Sequence, residues 1–136
     1  MPDRYEVIDH TADIAIKTSG DSLAEAFGNA AFAMFDIMAD ASAIKPVGEV
    51  RVEVEAQDLG QLLVDWLSEL LYLVDVEDVL FSEFEVVIDG LKLSAVVRGE
   101  KMDPARHGLK TDIKAVTYHM LEIDEDNNSV QVLFDI

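Results

Sequence analysis

Three histidines are present in a chain of 136 residues, and two of them, His107 and His119, fall in one polar segment. That segment opens as Gly99-Glu100-Lys101-Met102-Asp103-Pro104-Ala105-Arg106-His107-Gly108 and continues through Ile113-Lys114-Ala115-Val116-Thr117-Tyr118-His119. Arg106, His107, Lys110, Lys114 and His119 are the one local concentration of positive and titratable groups. Arginine and lysine bind phosphate, and histidine moves protons near neutral pH. Neither a Ser–His–Asp set nor a two-carboxylate hydrolase pair assembles around them, and there is no Gly-rich phosphate loop. The competing reading is a charged surface loop in which His107 packs on Tyr118 and Gly99, Pro104 and Gly108 serve loop geometry. As a partner surface the stretch offers Glu100, Asp103, Arg106, His107, Lys114 and His119.

Oxygen donors cluster elsewhere. Asp9-His10-Thr11-Ala12-Asp13 holds two carboxylates and an imidazole within five residues, and hard cations such as Ca²⁺ or Mg²⁺ prefer oxygen. The spacing matches no established metal loop, and Asp and Thr also bond their own backbone in turns. At the other end, apolar alternation persists to Ile136, with Asp135 just before it. Termini fray unless tied down. A strand patterned to its last residue sets the Asp135 side chain and the α-carboxylate at a fixed edge. If the first strand is its neighbour, Asp13 joins them. Three like-charged donors repel one another unless a cation binds, so that grouping would favour metal. The plain alternative is a strand with a solvated end. Asp65 and Glu69, one helical turn apart, could share a cation, although such pairs are usually a wet helix face.

These groups must be held by a core. Half of the residues are hydrophobic, which supports one folded domain over residues 1–136. The formal net charge of −18 repels phosphate backbones, so direct high-affinity nucleic-acid binding is not expected; basic protein surfaces and cations are. There is no cysteine, which excludes disulfides, thiolate metal sites and cysteine nucleophiles. No apolar run reaches membrane-spanning length and no basic-then-apolar leader is visible, so a soluble cytoplasmic domain is expected.

Tyr5–Asp9 and Ile14–Lys17 read as short strands. Ser22-Leu23-Ala24-Glu25 has capping-box spacing, and Leu23, Phe27, Ala30, Ala31, Met34, Phe35 and Met38 then mark an amphipathic helix ending near Asp40. From Pro46, Val50, Val52 and Val54 alternate with Arg51, Glu53 and Glu55, a strand wet on one face. Asp58, with Gln61, caps a second helix whose apolar face runs from Leu59 to Val74. Strands Phe81–Ile88 and Leu91–Arg98 follow, joined by Asp89-Gly90 as the centre of a type I′ turn. After a Gly99–Asp112 loop, Ile113–Ile123 alternates, Asp124–Asn128 turns, and Val130–Ile136 closes the chain. The order β-β-α-β-α-β-β-β-β predicts an α+β fold, mostly antiparallel sheet with two packed amphipathic helices.

Over nearly its whole length the chain resembles the archease family. The matching stretches are Tyr5–Asp13, Leu62–Tyr72, Gly99–His107, Ile113–His119 and Phe134-Asp135-Ile136, in that order. The resemblance implies a non-catalytic activator of the RtcB-type tRNA-splicing ligase, promoting ligase guanylylation and multiple turnover in exon joining. It also implies, as the alternative, a chaperone that prevents aggregation of a tRNA cytosine methyltransferase. It implies a divalent metal ion, Ca or Mg/Mn, on Asp13, Asp135 and Ile136, and the choice of Asp13 over Asp9 comes from the family. A third reading, a metal-dependent enzyme using His10, His107 and His119 around Asp13, lacks an assembled acid/base pair.

Overall fold

Ser22 and Asp58 each stand three residues before an amide that they can cap, and each starts a long helix. The structure, a computed structural model, describes residues 4–9 and 13–136, with Asp9 described by its backbone alone. Helix α1 spans Leu23–Met38 and α2 spans Leu59–Glu77. Ser22 Oγ accepts from the Glu25 N–H at 3.1 Å, and Asp58 Oδ1 from the Gln61 N–H at 2.8 Å. The Glu25 and Gln61 side chains reach past the cap residue, accepting from the Asp21 and Gln57 N–H groups. Each motif thus satisfies two amides, one of them an orphan of the helix start.

The strands are β1 (Glu6–Asp9), β2 (Asp13–Ser19), β3 (Gly48–Glu55), β4 (Val79–Asp89), β5 (Lys92–Lys101), β6 (Ala115–Asp124) and β7 (Ser129–Asp135). They form two antiparallel sheets, ordered β1-β2-β7-β6 and β3-β5-β4. The expected α+β class and strand–helix order are observed. To them the structure adds a one-turn helix α3 (Pro104–His107) and a 3₁₀ turn at Ala41–Ala43.

Helix α1 packs on both sheets and is buried more widely than its stripe suggested, since Ala26, Ala33 and Ile37 are buried as well. Phe35 stacks on Phe84 and meets Phe81 edge-on, both with ring centroids 5.7 Å apart. Trp66 of α2 is fully buried, and its Nε1–H donates to the Phe27 carbonyl at 3.0 Å. The one polar atom of the largest core side chain is therefore satisfied, as burial requires.

Three local readings change, and the end of α2, which the sequence left open, is set. The β4–β5 turn is centred on Gly90-Leu91, because Asp89 pairs with Lys92. Only Gly90 has positive φ (63°) there, the requirement of a turn with glycine in its first central position. Gly99 belongs to β5, not to a loop: a Cβ there would overlap the Leu80 carbonyl oxygen, so its role is close backbone approach beside the irregular pairing at Phe81/Glu83. Helix α2 runs to Glu77, beyond the apolar face that ends at Val74, with Val76 exposed, and closes at Asp78 in the left-handed region (φ 53°). In β6 the alternation breaks. Thr117 pairs with Leu133 but Glu122 with Gln131, so four residues of β6 lie opposite a single residue of β7. Met120 takes φ 60°, and Tyr118 and Met120 are exposed.

Candidate functional site

The polar segment Gly99–His107 folds inward. Asp103 caps α3 by accepting from the Ala105 N–H at 3.2 Å, Pro104 fills the first turn, and Gly108 ends it at φ 61°. This turn drives His107 into the core, where it is fully buried. Its Nδ1 accepts from the Asp103 N–H at 2.8 Å, which leaves the proton on Nε2, facing Glu100 Oε2 at 2.9 Å. Glu100 also takes Arg106 Nη2 at 2.6 Å and the Lys45 N–H at 2.7 Å. Its side chain is 11% exposed. Arg106, then His107, then the Lys45 amide hold its carboxyl down, from 4.5 to about 2. Arg106 bonds the Ala43 carbonyl as well, at 3.0 Å, and its pairing with Glu100 raises its own pKa. Finally the His107 carbonyl accepts from the Asp40 N–H at 2.9 Å, just past α1.

Every polar group in this latch has an internal partner. His107 is buried whereas Tyr118 is exposed, so the reading of His107 as part of a charged surface loop changes, and Glu100 and His107 are turned inward to their own partners. Arg106 is already paired with a carboxylate. His119 stands apart on the exposed β6 bulge, where its N–H bonds Thr117 Oγ1 at 3.3 Å. The enzyme reading from His10, His107 and His119 thus loses His107 to the core, while His10 lies outside the described residues. Sequence spacing missed Lys45, Ala43 and Asp40 as latch partners, because they lie about sixty residues away and act through backbone atoms that carry no side-chain signal.

At the opposite end of the argument, β2 and β7 run antiparallel with Asp13 and Asp135 as direct Cα partners. Such partners stand about 4.5–5.5 Å apart at Cα and share a face of the sheet. On the far side of Asp135 the partner is Ala115, which is small, and the Lys114 N–H extends the ladder to the Asp135 carbonyl at 2.8 Å. Ile136 packs its side chain against the core, which holds the backbone beside Asp135 in place. Asp13 is half-buried and Asp135 exposed, and among the described residues neither carboxylate has a hydrogen-bond or ion-pair partner. Like charges directly opposed in a sheet cost stability.

Of the remaining candidates, Lys114 reaches this point through its backbone N–H alone, and the side chains of Asp9 and His10 lie outside the described residues. Asp9 ends β1, whose pairing with β2 shifts between Val7 and Asp9. Asp65 is half-buried and Glu69 exposed on α2, and Lys114 is exposed. Among the described residues no three His, Asp or Glu side chains are grouped as metal ligands. No helix there is long and apolar enough to cross a membrane.

The fold and site together define a small acidic α+β protein whose distinctive chemistry is a pair of carboxylates facing each other across a strand ladder, beside the end of the chain. Residues 5–136 match the model of the archease protein family, and the chain belongs to that family. It is 44% identical over 126 residues to Protein archease of Pyrococcus abyssi, covering 90% of this chain and 89% of that relative. With Protein archease of Methanothermobacter thermautotrophicus it shares 45% identity over 127 residues, covering 90% of each. The solution structure of Methanobacterium thermoautotrophicum protein 1598 superposes with a TM-score of 0.84 at 38% identity, over 99% of this chain and 100% of that one.

Proposed function

We propose that this chain is a non-catalytic, metal-binding activator of the RtcB-type tRNA-splicing ligase, acting in the cytoplasm to promote ligase guanylylation and multiple turnover. Membership of the archease family supports this choice of partner. The observation that carries the metal reading is the facing of Asp13 and Asp135, neither of which has a protein cation as partner among the described residues. The donor set fits a hard divalent ion: two carboxylate side chains, joined by an oxygen of Ile136 as the family resemblance implies, with no sulfur or imidazole among them. A bound Ca²⁺, Mg²⁺ or Mn²⁺ would supply neutralisation of these charges. The chain's own part is positional. The ladder fixes Asp13 against Asp135, the Ile136 side chain packs against the core, and Ala115 leaves room on the same face. The acidic body, at −18, favours encounter with the basic rim of an RNA enzyme.

The test adds Asp13→Ala and Asp135→Ala proteins to stalled ligase. Loss of guanylylation and of repeated turnover is expected; undiminished rescue by both variants rejects the metal role. Suppression of tRNA methyltransferase aggregation that persists in chelator, with no ligase rescue, would instead select the chaperone reading, for which the exposed Tyr118 and Met120 offer an apolar surface.

A further inference from the structure

The C-terminal ends of α1 and α2 meet at a groove of about 410 Å³ that takes no part in the carboxylate pair. Its walls are Met38, Val74, Leu80 and Met102, with Leu109 as an outer lip that is 45% exposed. Around this apolar floor stand Asp75, Asp78 and Asp112, all exposed, with Lys110 as the one basic group of the lining.

That charge arrangement is the reverse of what a helix end favours. The C-terminus of a helix carries partial negative charge, so cations stabilise it and carboxylates do not. Helix α2 has no basic residue in its last turn; it has Asp75 and Glu77, and Asp78 as its cap. Helix α1 also lacks one there. Lys101 Nζ donates to the Glu77 carbonyl at 3.0 Å, and the Ile37 and Met38 carbonyls accept from the Thr111 and Lys110 amides. Lys101 thus brings one cation to the end of α2, but it and Lys110 stand against Asp75, Glu77, Asp78 and Asp112, so the rim of the groove stays net negative. A local arrangement that opposes the fold's own stability is expected where something from outside completes it. The floor suits a variable apolar side chain, since methionine adapts to what it packs against, and a volume of this order accepts a side-chain-sized group. Nucleic acid is excluded as occupant by the same carboxylates.

We propose that this groove docks a basic protein segment, one that seats an apolar side chain between Met38 and Met102 and lays lysine or arginine against Asp75, Asp78 and Asp112. The segment is recognised by the combination: charge brings it to the rim and the anchor holds it.

The chain's five methionines make the test internal. With ¹³C-methyl methionine, Met38 and Met102 report the groove, Met34 the core and Met120 the β6 bulge. The probe is a synthetic pentapeptide, Lys-Lys-Leu-Arg-Arg, blocked at both ends and titrated at low salt. Shifts at Met38 and Met102 are expected, with Met34 and Met120 fixed. The same peptide with glycine for leucine should leave those methyls unmoved. In D75N/D78N/D112N, whose folding the Met34 methyl checks, affinity should fall about tenfold or more, as expected for three lost charge contacts. Equal shifts at Met120, equal action of the glycine peptide, unchanged affinity in the neutral variant, or no shift at Met38 and Met102 would each overturn the proposal.

Discussion

Two parts of this molecule collect charge, and they treat it oppositely. Around Glu100 the charges are consumed: one arginine, one histidine and two backbone amides, those of Lys45 and Asp103, close a set of bonds inside the protein. At Asp13 and Asp135 the ladder opposes two like charges, and among the described residues neither carboxylate has a partner. Polar groups that have already found each other explain structure. Those that are held together and left unsatisfied point to something outside the chain. On sequence alone the first region looked the more chemical of the two, because residue types were visible and their partners were not.

The contrast can be broken most severely at the latch. Gly99→Ala drives a Cβ into the Leu80 carbonyl oxygen in a central strand, and should leave little folded protein by circular dichroism. His107→Ala removes the acceptor of the Asp103 amide and a partner of Glu100 while opening a buried void. A loss of about 3 kcal/mol is expected in urea melts, since both a packed ring and two buried bonds go. If His107→Ala costs nothing, the latch is not structural and the comparison fails.

Glu100→Gln is milder and has a pH signature. Because the folded carboxyl titrates at about 2 and the free one near 4.5, the unfolded chain binds the extra proton first as pH falls. The carboxylate's contribution is therefore complete above about 4.5 and lost on descent to about 2. Melts from pH 7 to pH 2 should show that slope in the parent and a shallower one in Glu100→Gln, with a melting point lower by roughly 5 °C at neutral pH. Parallel slopes would count against the arrangement described.

The opposite sign is expected at the other region. Asp13→Asn and Asp135→Asn relieve a facing like-charge pair, so in chelator each should melt at or slightly above the parent, by about 0.2–1 kcal/mol. With divalent cation the order should reverse. His119→Ala, on an exposed bulge, should change stability by less than about 0.5 kcal/mol in either condition.

Much of the architecture was legible because it rests on periodicity and capping. Ser22 with Glu25 and Asp58 with Gln61 marked both helix starts, and the valines of β3 announced its buried face. What escaped were features decided by tertiary contact. The Gly90-Leu91 turn differs by one residue from the expected one because pairing register, not dipeptide preference, sets the turn. Gly99 looked like a loop residue because a glycine required for close approach carries the same letter as one required for a turn. The β6 bulge sits under an uninterrupted alternating pattern that no local signal contradicts. Among the site residues, the pairing of Asp13 with Asp135 was anticipated from a strand that keeps its pattern to its end, while the choice between Asp9 and Asp13 needed the family. His107 could not be told from a proton shuttle until its burial and both ring bonds were visible.

Calorimetric titration of the metal-free protein with Ca²⁺ and Mn²⁺, run beside Asp13→Ala, Asp135→Ala and Glu100→Gln, tests the central claim most directly. The account predicts one divalent site in the parent and in Glu100→Gln, abolished in both aspartate variants. Unaltered stoichiometry and affinity in Asp13→Ala or Asp135→Ala would contradict it.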